Sequence, residues 1–323
     1  RKINQRKSTN QEEKVDTTDK LKELENIILG AEDKLNNLEY EVFVEVRDII
    51  AGNVNRIQSS AKSLAYIDAI CSLATVAYNN NYIRPQINTN GVIDIKDGRH
   101  PVVESMLNDD SFIANDTYLD QNKKRMSIIT GPNMAGKSTY MRQTALICMM
   151  AQIGSFVPAS QASLCVCDRI FTRVGASDDL ASGQSTFMVE MTEVANILRN
   201  ATRNSLVILD EIGRGTSTFD GLAIAWALVE HISNTKLIGA KTLFATHYHE
   251  LSELEGTMPG VNNYCILVKE RGDDIVFLRK IAVGGADKSY GIQVAKLAGV
   301  PESVTERAKE LIEELSSADI ATR

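Results

Sequence analysis

The residues with the clearest chemical capability lie in one short segment of this 323-residue chain, residues 131–139. The segment opens with Gly131 and follows the spacing GxxxxGKS, which ends in Gly136, Lys137 and Ser138. Glycines let a backbone approach an anion without a Cβ in the way, and a loop that leads into a helix directs its N–H groups at phosphate oxygens. The lysine supplies positive charge to the β- and γ-phosphates, and the serine hydroxyl can bind Mg²⁺. The spacing therefore predicts an ATP site that uses Mg²⁺.

The residues on both sides of this loop favour the same interpretation. A buried-strand pattern covers residues 126–130, and a helix with an apolar stripe is predicted for residues 137–152. The alternative is a chance glycine-rich turn, which would require neither flank. The sequence thus predicts a strand, a phosphate loop and a helix in direct succession.

A second segment, which ends in two acidic residues, completes the predicted chemistry. Four apolar residues at 206–209 predict a central strand that ends in Asp210 and Glu211. Ligands of open α/β sheets bind at the carboxyl ends of the strands, so both carboxylates should meet the phosphate loop. We expect Asp210 to hold Mg²⁺ directly or through water, and Glu211 to orient and deprotonate the attacking water. Acidic residues after a strand often only cap a helix, but together with the loop they predict an Mg²⁺-dependent ATPase.

The elements around these segments alternate between strands and helices. This alternation indicates an α/β fold with a mixed, largely parallel sheet that is covered on both faces. Besides the elements already named, the pattern predicts helices at 186–201, 221–232, 292–298 and 302–315, and strands at 92–95, 242–245, 264–268 and 275–281.

The chain before this α/β region is helical. Apolar residues recur every three or four positions from Leu21 to Ile49 and resume at Ile57, after an interruption at 51–53. We therefore expect an antiparallel pair of long helices that forms an arm. The predicted domains are a polar connecting segment at 1–17, the helical arm at 18–90, the ATPase domain at 91–287 and a terminal helical element at 288–323.

Composition limits the partners and the compartment. The net charge of −7 argues against a broad basic surface for nucleic acid on this piece. No apolar run reaches the roughly 20 residues of a membrane span. Five cysteines without CxxC pairs fit reduced, intracellular thiols, and we expect Cys165 and Cys167 to pack in the core rather than bind metal. The chain begins with Arg1, so we expect a piece of a longer protein.

Six segments in the same order resemble the MutS DNA mismatch-repair family, a branch of the ABC-type ATPases. The resemblance is thin over the helical arm and dense from Gly98 onward. In the phosphate loop the chain carries Ala135 where many members carry glycine, which should be tolerated if φ there is ordinary. The segments are GRHPVVE (98–104), TGPNMAGKSTYMRQ (130–143), DDLASGQSTFMVEM (178–191), DEIGRGTSTFDG (210–221), FATHYHEL (244–251) and KSYGIQVAKLAGVP (288–301).

The resemblance implies roles that spacing alone does not. It implies that Ser185 contacts the γ-phosphate held by a partner subunit and that His247 senses the γ-phosphate; from the residues alone, these two are an N-cap and a structural histidine. It also implies that Phe112, Ile113 and Arg279 contact adenine. The nucleotide-binding set that it implies is Phe112, Ile113, Gly131, Pro132, Asn133, Met134, Ala135, Gly136, Lys137, Ser138, Thr139, Asp210 and Arg279, with Ser138 and Asp210 as the Mg²⁺ ligands.

The resemblance further implies ATP binding and hydrolysis at composite sites across a homodimer, which drive conformational switching in DNA mismatch repair. The terminal element at 288–323 resembles the family's helix-turn-helix, which implies that it joins the subunits of the dimer and does not read DNA. The implied partners are a second subunit, mismatched duplex DNA through parts mostly outside this chain, and downstream factors of the MutL type. The implied location is cytoplasmic and nucleoid-associated, without a membrane. We expect the family's mismatch-reading domain, with its Phe-x-Glu wedge, to be missing from this chain; residues 43–45 match those letters but lie in the helical stripe.

Two other interpretations stay open from the sequence. One is a nucleotide-gated dimerisation module with negligible turnover, against which the presence of Glu211 argues. The other is the MutS paralogue branch, which lacks the mismatch-reading domain and acts outside mismatch repair. The segment at 178–191 is closer to the repair-type pattern, which favours repair. The parent reading frame would decide between an upstream mismatch-binding domain and a downstream nuclease-like domain.

Overall fold

A computed structural model of the chain describes residues 19–107, 112–175, 185–271, 274–285 and 290–322. The chain divides into two compact units, Arg1–Ile70 and Cys71–Arg323. The predicted connecting segment at 1–17 lies outside the described residues. The domain boundaries inferred from the sequence stay predictions.

The described part of the first unit, residues 19–70, is helical, but the predicted antiparallel pair is wrong. Helix α1 (Asp19–Leu29) is followed, after Gly30, by helix α2 (Ala31–Asn79), which runs for 49 residues and does not break at 51–53. Gly52 has a helical backbone, and the side-chain amide of Asn53 donates to the carbonyl of Ile49 at 2.8 Å. A glycine inside a helix costs only about 1 kcal/mol relative to alanine. That cost is too small to end a helix whose hydrogen-bond ladder continues on both sides.

The second unit is a mixed α/β structure, as the alternation of elements predicted. A 3₁₀ helix, His249–Leu254, follows its eighth strand. The other elements of this unit, in chain order, are β1 (Gln86–Asn88), β2 (Ile93–Gly98), α3 (Pro101–Met106), β3 (Asn115–Leu119), β4 (Met126–Thr130), α4 (Lys137–Gln152), β5 (Gln161–Cys165), β6 (Ile170–Arg173), α5 (Thr186–Asn200), β7 (Leu206–Asp210), α6 (Thr218–Ser233), β8 (Lys241–Ala245), β9 (Val261–Arg271), β10 (Asp274–Val283), α7 (Gly291–Leu297) and α8 (Glu302–Thr322).

Two sheets organise this unit. The larger has the strand order β10-β9-β4-β8-β7-β6, and all its pairs are parallel except β10 with β9. The smaller has the order β1-β5-β2-β3, with only β1 and β5 parallel. The larger sheet is therefore mixed and largely parallel, as predicted. Most of the smaller sheet was not predicted, because β1 has only three residues and because β3 and β5 mix polar with apolar residues.

Both faces of the larger sheet are covered. Ile129, Ile208 and Leu243 belong to a core that includes residues of α4 and of the smaller sheet. Their neighbours Ile128 and Phe244 belong to a second core with residues of α5 and α6. Successive residues of a strand point to opposite faces, so a strand buried on both faces is a continuous apolar run. This agrees with the burial of every residue of β4 and β8 and of all but the last residue of β7.

Three of the cysteines lie in a core of the second unit. Cys148 on α4 and the predicted core residues Cys165 and Cys167 are all buried there. Within the described part of the chain, no group of three or more His, Cys, Asp or Glu side chains could hold a metal ion. None of the helices in that part combines the length and the apolar character that crossing a bilayer requires.

The continuity of α2 can be tested with one substitution. A Cβ added at Gly52 would meet no neighbouring atom within 4 Å, and the backbone there is helical, so Gly52→Ala should stabilise the protein by about 0.5–1 kcal/mol. The matched control is Gly154→Ala, which is equally uncrowded but has φ of +87° and should be destabilising. Equilibrium urea unfolding followed by far-UV circular dichroism measures both. No gain from Gly52→Ala would contradict a continuous helix.

Candidate functional site

The loop between β4 and α4 has the backbone of an anion cradle. Gly131 has φ of +124°, and a Cβ there would lie 2.7 Å from Cγ2 of Ile266. Gly136, at the N-cap of α4, has φ of +109°. Met134 also adopts a left-handed backbone, with φ of +68°, whereas Ala135 is buried and has an ordinary negative φ. Ala135 therefore meets the condition under which an alanine is tolerated at this position.

Lys137 lies at the centre of this loop. Its side chain is buried, and its Nζ donates to the carbonyls of Gly131 and Pro132 and to Oδ1 of Asn133. Burial lowers the pKa of Lys137, and the charges of Glu211 and Asp210 only partly oppose that effect. The loop thus holds a cation that has lost water and is surrounded by oxygen acceptors, which is an arrangement suited to an anionic ligand.

Ser138 and Asp210 are close neighbours across the site. Asp210 ends β7, and its Oδ1 is buried with no hydrogen-bond partner. Burial raises the pKa of Asp210, while a hydrogen bond from Ser138 and the charge of Lys137 act in the opposite direction. A hydroxyl and a carboxylate are hard oxygen ligands, and Mg²⁺ takes one or two of them together with waters and phosphates. The pair, with its unsatisfied buried oxygen, therefore fits Mg²⁺.

Glu211 has an unusual backbone conformation. Its φ is +54°, a left-handed value that is uncommon for a residue with a side chain. Its N–H donates to the carbonyl of Ala245 at 2.9 Å, and its carboxylate accepts from Arg214 at 2.6 Å. Strained backbones of this kind persist only where neighbouring contacts hold them, and they concentrate at functional sites.

His247 lies two residues after the end of β8, and its ring contacts that of Tyr248, with centroids 4.1 Å apart and planes tilted by 37°. Partial burial lowers the pKa of His247, an effect that the charge of Glu211 opposes. At neutral pH the imidazole is therefore neutral, with one N–H donor and one acceptor.

A cavity of about 640 Å³ gathers most of the predicted phosphate and metal residues. His247 and Ser185, although both are described, do not line it. The residues that line this cavity, called the phosphate cavity below, are Pro132, Asn133, Met134, Gly136, Lys137, Ser138, Thr139, Arg142, Arg173, Gly175, Thr186, Glu190, Asp210, Glu211, Arg214 and Gly215.

A second cavity of about 270 Å³ lies beside the first and shares Met134, Gly136 and Thr139 with it. Phe112 and Ile113 line this second cavity together with Arg279, which lies far from them in the chain.

Asn115 holds these distant segments together. Its side-chain amide donates to the carbonyls of Ile113 and Arg279, and its Oδ1 accepts from the N–H of Ile281. Sequence reasoning missed Asn115. Its only signal is a polar residue at the first position of a strand, which does not distinguish it from a solvent-facing one.

Ser185 is the N-cap of α5, and its hydroxyl accepts from the N–H of Met188 at 3.2 Å. The residues directly before it, 176–184, lie outside the described residues, and with them the first half of the segment 178–191. The structure therefore gives Ser185 a capping contact, and its contact with a partner's nucleotide stays a prediction.

Two buried charged residues of the phosphate cavity were also missed. Arg173, which ends β6, pairs with Glu190 of α5 at 3.4 Å, and Oε1 of Glu190 accepts from the N–H of Gly213 at 2.7 Å. A signal for Glu190 exists in the sequence, because it lies three residues after Phe187, on the apolar face of the helix. A charged residue in that stripe requires a buried partner.

The chain is similar to known proteins over most of its length. Residues 127–316 match the family model for MutS domain V. The DNA mismatch repair protein MutS of Lachnoclostridium phytofermentans is 74% identical over 307 residues, which cover 95% of this chain and 33% of that protein. Proteins of the same name from Ruminiclostridium cellulolyticum and Acetivibrio thermocellus are 65% and 62% identical, over 94% and 95% of this chain and 35% of each relative. The chain thus spans about a third of the length of these relatives.

The burial of Asp210 has a consequence for stability. Burial raises its pKa, so folding favours the neutral carboxyl, and ionisation above that pKa destabilises the ligand-free protein. Asp210→Asn keeps the shape without the charge, and we expect the ligand-free melting temperature at neutral pH to rise by a few degrees. The gain should shrink as pH falls through the raised pKa. Asp68→Asn, an exposed change of the same kind, is the control. A lower melting temperature for Asp210→Asn would contradict this account.

Proposed function

Because the chain belongs to the MutS family of DNA mismatch-repair proteins, we propose that it binds ATP with Mg²⁺ and hydrolyses it. The observation that carries this proposal is the phosphate cavity, where Lys137, Ser138, Asp210 and Glu211 meet. A phosphate loop, two oxygen ligands and a carboxylate are the parts that phosphoryl transfer to water requires.

The chain's own groups divide the nucleotide between the two cavities. In the phosphate cavity, the amides of the loop and the N-terminus of α4 bind the triphosphate, and the Nζ of Lys137 exchanges loop carbonyls for phosphate oxygens. In the second cavity, Phe112 and Arg279 pack on opposite faces of adenine beside Ile113. The shared wall of the two cavities supports one ligand that extends through both.

Ser138 and Asp210 would hold the Mg²⁺ ion, which neutralises charge on the phosphates when it is bound. Glu211 accepts a proton from the attacking water, whose oxygen bonds to the γ-phosphorus as the bond to ADP breaks. For this the carboxylate must leave Arg214, its partner at 2.6 Å. The neutral imidazole of His247 is able to donate its N–H to a γ-phosphate oxygen.

The wider assembly is part of the same proposal. Ser185 would complete the site of a second copy, and α7 and α8 would contribute to the dimer. On α8, Glu306 and Glu310 pair with Lys309 and Arg307, which makes this helix a poor surface for a phosphate backbone. The relatives are named DNA mismatch repair proteins, which supports repair over the paralogue branch. Mismatch reading, MutL-type partners and a place at DNA in the cytoplasm would belong to the longer protein.

Glu211→Gln tests the hydrolytic role. The amide keeps the shape but cannot accept the proton, so the turnover number should fall by about 10²–10⁴-fold while the affinity for MgATP stays nearly unchanged. Phosphate release and equilibrium binding of a fluorescent ATP analogue measure the two quantities. Glu253→Gln, an exposed change, is the control. Unchanged hydrolysis would remove Glu211 from this role, and wild-type binding without any turnover would support the nucleotide-gated dimerisation module.

Mixed dimers test whether the sites are composite. Ser185→Ala and Lys137→Ala subunits are each expected to be inactive as homodimers. In a heterodimer one site loses both residues and the other keeps both, so the mixture should hydrolyse ATP faster than either parent. No recovery on mixing, with heterodimers verified by differently tagged subunits, would count against a shared site.

A further inference from the structure

Gly213 is buried, and both its N–H and its carbonyl are hydrogen-bonded to side chains. Its N–H donates to Oε1 of Glu190 at 2.7 Å, and its carbonyl accepts from the hydroxyl of Tyr248 at 3.1 Å. Its φ is +90°, and a Cβ on it would lie 2.6 Å from the carbonyl oxygen of Gly221. Only glycine fits there. The N–H and the carbonyl of Gly213 belong to the two peptide planes on either side of its Cα, so the two bonds orient both planes.

Gly213 joins the three segments that the proposed function uses. Gly213 lies two residues after Glu211, and the buried Ile212 lies between them. Tyr248 directly follows His247. Glu190 is on α5, the helix that Ser185 caps. Gly213 therefore connects the segment of the hydrolytic carboxylate, the segment of the γ-phosphate histidine and the helix that is expected to serve a neighbouring site.

The acceptor on α5 is itself held in place. Arg173 pairs with Glu190 at 3.4 Å and with Glu193 at 2.9 Å. The side chains of Arg173 and Glu190 are 4% and 8% exposed, whereas that of Glu193 is 52% exposed. A buried, paired carboxylate that accepts a hydrogen bond is strongly oriented. Glu193 shares the arginine but not the contact with Gly213, which separates the two functions experimentally.

The backbone of Glu211 lies between two sets of fixed contacts. Its left-handed conformation, with φ of +54°, is unfavourable unless both ends are fixed. On one side, the N–H of Glu211 is bonded to the carbonyl of Ala245. On the other side, the side chain of Ile212 is packed in the core, and the next backbone hydrogen bonds are those of Gly213.

We propose that Glu190 is a positioning residue for Glu211 and acts through its hydrogen bond with the N–H of Gly213. The inference rests on the proposed hydrolysis of ATP and goes beyond it, because Glu190 need touch neither nucleotide nor water. It also gives α5 a direct path to the hydrolytic carboxylate, so a contact at Ser185 and the orientation of Glu211 are connected within one subunit.

Three variants separate positioning from general support of the fold. Glu190→Met removes the acceptor, Glu190→Gln keeps an oxygen acceptor without charge, and Glu193→Gln weakens only the pairing with Arg173. We expect the turnover number of Glu190→Met to fall by about tenfold to a hundredfold, in line with the loss of a charged hydrogen bond. Glu190→Gln should recover part of this loss, and Glu193→Gln should resemble wild type. The affinity for MgATP should stay within a few-fold in all three. An equal loss in Glu193→Gln, or a loss confined to affinity, would overturn the proposal.

A double-mutant cycle shows whether Glu190 acts through Glu211. In a Glu211→Gln background, Glu190→Met should cause little further loss of the residual turnover, since the group that it positions is gone. A further loss as large as in the wild-type background would mean that Glu190 acts elsewhere.

Amide hydrogen exchange gives a readout that does not need turnover. The N–H of Gly213 should exchange at least about tenfold faster in Glu190→Met than in wild type, and at an unchanged rate in Glu193→Gln. Unchanged protection of Gly213 would overturn the inference even if ATP hydrolysis is confirmed, whereas absence of wild-type turnover would overturn only the proposed function. If Glu190→Met does not fold, Glu190→Gln and Tyr248→Phe take its place, each with a smaller increase in exchange expected.

Discussion

The geometry of the candidate site depends on the register of three neighbouring parallel strands. Ala245 of β8 lies opposite Ile129 of β4 on one side and opposite Asp210 of β7 on the other. The N–H of Thr246 bonds to the carbonyl of Ile129, and the N–H of Glu211 bonds to the carbonyl of Ala245. The three strands therefore end at one level, where the loop, the acidic pair and the histidine segment begin. A slip of one residue in β7 would turn Asp210 to the opposite face of the sheet.

The parts of the site that follow from local pattern were predictable from the sequence. The apolar runs of β4 and β7 and the stripe of α4 are strong signals because these elements are buried. The loop spacing then places Lys137 and Ser138, and the strand end places Asp210. Since the carboxyl ends of parallel strands share an edge, local signals were enough to predict that these residues meet.

Other parts depend on contacts between distant segments and were not predictable in this way. Arg279 lines the second cavity with a left-handed backbone of its own, with φ of +52°. It lies at an irregular point in the pairing of β10 with β9. Asn115 is recognisable only when the carbonyls that it bonds are known. The predicted antiparallel pair of helices was wrong for a different reason. The glycine at the predicted break was given more weight than the cooperativity of a long helix. The charge of Glu190 in an apolar stripe was visible in the sequence, but its partner Gly213 was not.

The site is electrostatically unfavourable without a ligand, and the direction of the pKa shifts shows what would relieve it. Burial lowers the pKa of Lys137 and raises that of Asp210, so each group is pushed towards its neutral form although the two have opposite charges. Their mutual attraction offsets only part of the desolvation, and Oδ1 of Asp210 is left without a partner. An anion alone would relieve the lysine and worsen the aspartate, while a cation alone would do the reverse. A polyphosphate that carries a divalent cation satisfies both groups at once, so binding and folding stability should be linked for that ligand in particular.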